Sequence, residues 1–163
     1  ERVNNLVLLS ASGAPVKEES SPPMALRAMK NPFGRFLISR IWSRSMAKKS
    51  LEDMVFDGSS ITDEEIDRMW DFSIYPGNMD AMFQEFRETW AAFDPADIKE
   101  ITTNTLLIWG KEDSICPESM GIWYDSHLPN STMVVIPNIG HNPHFECPDR
   151  CSDEISSWLA ALT

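Results

Sequence analysis

Three short, unbroken apolar runs limit what this chain of 163 residues can fold into. Leu6 to Leu9, Thr105 to Trp109 and Met133 to Ile136 are too short for buried helices and show no polar side. Such runs read as strands covered on both faces. Between and after them the periodicity is helical. Pro117 suits the first turn of a helix ending near His127, and Asp149 to Leu162 reads as a last helix with Ile155, Trp158, Leu159 and Leu162 inward. Strands alternating with helices imply an α/β fold, a parallel sheet flanked by helices.

The first two runs are separated by far more chain than an ordinary crossover uses. A polar, proline-bearing loop runs to about Pro23, and residues 24 to about 93 carry helical periodicity. Phe33, Phe36, Leu37 and Ile41 recur at helical spacing, with Arg35, Arg40 and Arg44 off that stripe. Thr62-Asp63-Glu64-Glu65 is a capping box opening a helix with Ile66, Met69 and Trp70. Pro76-Gly77 breaks it, and Asn78 is suited to cap a helix holding Met82, Phe83, Phe86 and Trp90. The expected organisation is therefore a first core strand and loop (1–17), an inserted helical cap or lid (18–95) and a C-terminal core (96–163).

Composition narrows the partners. A 42% apolar content and six tryptophans fit a folded chain, and a net charge of −11 disfavours nucleic acid. Between Ser20 and Leu51, Arg27, Lys30, Arg35, Arg40, Arg44, Lys48 and Lys49 occur with no acid. Such a segment can face anionic lipid or substrate but is more often a solvated helix face. No apolar run approaches the roughly 18 residues of a membrane span. The opening Glu-Arg-Val-Asn-Asn reads as neither a signal nor a transit peptide. Cys116, Cys147 and Cys151 do not make a disulfide framework, so a reducing cytosol is the expected compartment.

Two turns carry chemistry. Asp113 follows the second run in a Gly-x-x-Asp turn, and His141 follows the third after Pro137-Asn138-Ile139-Gly140. Beyond the carboxyl ends of parallel strands is where such sheets bind ligands. A carboxylate there can fix the tautomer of an imidazole, and the imidazole can act as general base and then general acid. Alone, the aspartate would be a turn-former and the histidine structural; their order and placement make them a candidate pair. Glu112 is the local rival for the acid. His141, His144, Cys147 and Cys151 form a rival zinc constellation, against which stand the interrupting Pro143 and Pro148. Cys147 and Cys151 read more simply as small apolar residues near the last helix's start.

From Asn104 to Leu162 the sequence resembles the C-terminal part of an α/β-hydrolase. Gly110, Asp113 and Pro117 meet the pattern Gly-x-x-Asp-x-x-x-Pro. Gly140, His141, Pro143, Glu146 and Pro148 meet Gly-His-x-Pro-x-x-Glu-x-Pro. The opening strand is similar to the family's sixth, and the helical block sits where the family inserts its cap. The resemblance implies a partial α/β-hydrolase fold of three parallel strands with an inserted cap. It makes Asp113 the triad acid after the seventh strand and His141 the triad histidine after the eighth. Some relatives carry the acid after the sixth strand, where this chain reads Ser10-Ala11-Ser12-Gly13.

No Gly-x-Ser-x-Gly occurs, so the nucleophile is expected elsewhere. By the resemblance, strands one to five, the oxyanion-hole loop and the nucleophile elbow would precede Glu1, in a longer polypeptide or in a complementary chain. The 163 residues alone are then expected not to turn over substrate. The expected reaction of the complete protein is hydrolysis of a carboxylic ester or similar small apolar acyl substrate, without metal or organic cofactor. In the family the cap roofs the site, and seven of the nine methionines (Met24, Met29, Met46, Met54, Met69, Met79, Met82) fall in this block. Ordinary packing accounts for most of them. Carbon–carbon bond hydrolases and aminopeptidases would use the same two residues, and epoxide hydrolases pair them with an aspartate nucleophile. A non-catalytic small-molecule receptor is the reading from another class.

Overall fold

A computed structural model describes residues 3–15, 31–88 and 92–162, the side chains of 85–88 excepted. Arg27, Lys30, Met24, Met29, Trp90, the side chain of Phe86 and loop residues 16–23 lie outside the described residues. The three apolar runs are strands β1 (Asn5–Leu9), β2 (Asn104–Gly110) and β3 (Ser131–Ile136). They form one parallel sheet in the order β1-β2-β3, with Asn5 opposite Asn104 and Thr105 opposite Ser131.

β2 lies in the middle, and its lack of alternation is explained by two covered faces. On one side Leu107 and Trp109 pack with Met120, Tyr124 and Leu128 of the crossover helix and its end; this is α6 (Glu118–His127). On the other, Leu106 and Ile108 meet Cys151, Ile155 and Trp158 of α8 (Pro148–Ala161). All four β2 side chains are at most 1% exposed, which contributes about 2 kcal/mol apiece from burial. Leu159 and Leu162, expected inward, are instead exposed. Ile155 and Trp158 are the apolar residues of this helix's second half that pack against Leu106 and Ile108.

Among the described residues between β1 and β2, the longer helices are α1 (Pro32–Ile41), α2 (Arg44–Glu52), α3 (Asp63–Ile74) and α4 (Asn78–Glu88). Asn31 caps α1 by accepting from the Gly34 amide, and Pro32 fits its first turn. The capping box of α3 is formed: the Thr62 hydroxyl accepts from the Glu65 amide while the Glu65 carboxylate accepts from the Thr62 amide. Asn78, expected as a cap, is the first residue of α4, and its side chain donates to the Phe72 carbonyl. The α1 stripe also differs from expectation. Phe33, Phe36, Leu37 and Ile41 are exposed, whereas Gly34 and Ile38 face inward, Ile38 packing with Phe83, Trp42, Met79 and Met82. Arg44 joins α2 to α3 through Asp63 and Asp67. A short helix, α5 (Pro95–Lys99), capped by Asp94, leads into β2.

Candidate active site

β2 ends at Gly110, and the chain turns through Lys111 and Glu112 to Asp113. The turn is pinned from inside, because Trp109 Nε1 donates to the Cys116 carbonyl at 2.7 Å. Asp113 Oδ1 accepts from the amides of Ile115 and Cys116, both at 2.9 Å. Its side chain is fully buried, and Oδ2 faces His141 Nδ1 at 3.0 Å. A carboxylate can only accept, so the proton of this bond sits on Nδ1, and in the neutral imidazole Nε2 keeps its lone pair. The imidazole keeps 23% exposure, so that lone pair belongs to a side chain within reach of a ligand.

His141 is carried by the loop after β3. The amides of Lys111 and Glu112 donate to the carbonyls of Ile136 and Ile139, so the acid and histidine loops are bonded backbone to backbone. Gly110 permits this approach. A Cβ there would lie 2.0 Å from the Gly140 oxygen and 2.5 Å from that of Ile139, which no side chain tolerates. Asn138 adopts φ +59°, the left-handed turn conformation that asparagine accepts better than most residues. After His141 comes α7 (Pro143–Glu146), a single helical turn.

The structure thus brings Asp113 and His141 together and separates the rivals. Glu112 is exposed and turns to the histidine loop's backbone, where its carboxylate accepts from the Ile139 amide at 3.2 Å. At the end of β1, Ser10 is buried with φ +43° and its hydroxyl has no partner among the described residues. No carboxylate of the described residues bonds to it. Among the described residues no three His, Cys, Asp or Glu side chains are grouped so as to hold a metal. Cys147 points its thiol at the Pro143 carbonyl, and Cys151 is buried in the core. Burial pushes the Cys116 thiol up to about 12, with the Asp113 carboxylate beside it acting in the same direction. That thiol is therefore a poor nucleophile. Among the described residues no helix is long and apolar enough to cross a membrane.

Sequence reasoning missed Glu146 as more than a motif position. Its carboxylate accepts from the amides of Gly140, Asn142 and Phe56.

A family model described as alpha/beta hydrolase fold matches residues 1–148. The uncharacterized hydrolase YugF of Bacillus subtilis is 29% identical over 163 residues, covering 98% of this chain and 57% of its own. A 2-hydroxymuconate semialdehyde hydrolase of Pseudomonas putida is 27% identical over 168 residues, covering 98% of this chain and 55% of its own. A solved meta-cleavage product hydrolase from Pseudomonas fluorescens superposes with a TM-score of 0.80 at 24% identity, over 100% of this chain and 58% of that one. The chain spans little more than half the length of these relatives. With the matched family covering most of the chain, and three parallel strands presenting their carboxyl-end loops as described, this chain belongs to the α/β-hydrolase fold family.

Proposed function

We propose that this chain supplies the acid and the base of a Ser-Asp-His triad that hydrolyses a carboxylic ester or similar acyl substrate. The observation that carries the reading is the buried Asp113 carboxylate facing His141 Nδ1 at 3.0 Å. Asp113 holds the tautomer in which Nε2 accepts the proton of a serine hydroxyl, and stabilises the imidazolium that results. His141 then returns the proton to the leaving group. The serine and the oxyanion donors belong to sequence outside these 163 residues, in the same polypeptide or in a chain that binds this one. The helical segment 18–95 serves as the cap over the site.

A second reading keeps the same pair and changes the bond broken. A relative named 2-hydroxymuconate semialdehyde hydrolase favours a carbon–carbon bond hydrolase as this second reading.

Fluorophosphonate labelling of the source material, followed by intact mass measurement, tests the triad. The expected result is a single adduct on a polypeptide containing this sequence, or on a partner bound to it. No adduct on either would overturn the serine mechanism. In the protein that labelling identifies, assayed without the probe, His141→Ala should abolish turnover; unaltered ligand binding with no turnover even before the substitution would instead indicate a receptor.

A further inference from the structure

Four consecutive amides around the candidate base are each held by an acceptor from outside the loop's own turn. Ile139 donates to the Glu112 carboxylate, Gly140 to Glu146, His141 to the Met54 carbonyl at 2.7 Å and Asn142 to Glu146 at 3.2 Å. Two of these four bonds end on Glu146, on either side of His141. The same carboxylate accepts from the Phe56 amide at 2.7 Å, a residue 90 positions away in the helical insert. Gly140 lets the insert come this close, since a Cβ there would lie 2.8 Å from both Met54 O and Phe56 N.

We infer that Glu146 is a positioning residue for His141, clamping the insert segment 54–56 onto the histidine loop so that the base and the cap are held as one body. The chemistry requires a carboxylate. Three converging N–H donors need an acceptor with no proton of its own and more than one lone pair facing them. Glutamine at this position would turn an N–H donor toward at least one of them. The main chain on both sides of the imidazole is then free to shift, and with it the line from Nε2 to any reacting atom. Through the Met54 and Phe56 bonds, displacement of the insert also pulls on the loop that carries the base.

The inference rests on the reading of His141 as the base, yet its test needs no turnover. In the isotopically labelled full chain, nuclear magnetic resonance follows amide exchange and the ring proton on His141 Nδ1. In the unmodified chain the amides of Phe56, Gly140, His141 and Asn142 should exchange as one unit, at a common rate. In Glu146→Gln those four should lose at least tenfold in protection and the Nδ1 proton signal should broaden or vanish, while the amides of Leu106 and Ile108 keep theirs. An unchanged ring signal in Glu146→Gln would overturn the positioning role. Should the variant unfold, the unmodified chain decides: Phe56 exchanging a hundredfold faster than Gly140 would sink the clamp. Absence of the Nδ1 proton signal from the unmodified chain would count against the acid–base pair itself, a different failure from loss of the clamp.

Discussion

Replacing Asp113 by asparagine separates the charge of this side chain from its shape. Oδ1 takes two amide protons, from Ile115 and Cys116. An asparagine must therefore leave its oxygen there, because the reverse orientation would set two buried donors against two others. Its Nδ2 group then faces His141 Nδ1, which has to become an acceptor and move the ring proton to Nε2. Hydrogen bonds to a charged acceptor contribute about 1.5–3 kcal/mol against about 1 kcal/mol for neutral ones, so weakening two of them should cost about 2 kcal/mol. Relief from burying a carboxylate works in the opposite direction and keeps the loss at or below that figure. Urea unfolding followed by tryptophan fluorescence reads the stability, and ring nitrogen shifts of labelled histidine read the tautomer. The expected result is a fold retained with at most about 2 kcal/mol lost, the His141 tautomer inverted and, on the proposed triad, turnover of the complete protein reduced about 10⁴-fold. A His141 that keeps its Nδ1 proton in this variant would refute the reasoning, as would a stability loss above about 4 kcal/mol, which exceeds what these bonds can supply.

Other perturbations probe the supports. Gly110→Ala drives a methyl into the backbone of residues 139 and 140, where no side-chain rotation gives relief; a loss of about 2–3 kcal/mol is expected, and an unmoved urea midpoint would contradict the close packing. Thr62→Ala removes half of a reciprocal cap at the start of α3 and should cost about 1 kcal/mol, measured the same way. The Cys116 thiol gives a pH test, since burial raises it from an ordinary 9.0 to about 12. The folded chain holds that proton where the unfolded chain has lost it, so the contribution is complete below pH 9 and declines above it. The slope is about −1.4 kcal/mol per pH unit until the folded thiol also titrates. Comparing the chain with Cys116→Ala from pH 8.5 to 10.5 should show their stability difference shifting steadily against the unmodified chain, and a constant difference would refute the assignment.

What was legible in the sequence was local. The strands and the capping box depend on neighbours a few residues apart, and Asp113 and His141 stand where their strands end. Helix α5 was missed although Asp94-Pro95, a capping acid followed by a first-turn proline, was there to find it. The α1 stripe was misjudged for a deeper reason. Its ten residues offer apolar side chains on more than one side, and only the position of Phe83, Met79 and Met82 selects Ile38. Glu146 could not be read at all as a clamp. Its bond to Phe56 joins a side chain to a main-chain donor, whose identity leaves no mark on residue type.

The pairing of β2 with β3 has a consequence for the order in which the chain assembles. Thr105 finds Ser131 across one helix, whereas Asn5 must find Asn104 across the whole helical insert. Closing the longer loop costs about 1 kcal/mol more in chain entropy before any contact repays it. Local pairings of this kind form faster. Asp113 and His141 lie on the loops that β2 and β3 bring together, so they come within reach of each other while β1 and the insert are still searching. The Asp113–His141 contact is then expected to be among the early contacts of the chain, with the segment 54–56 docking afterwards onto the histidine loop.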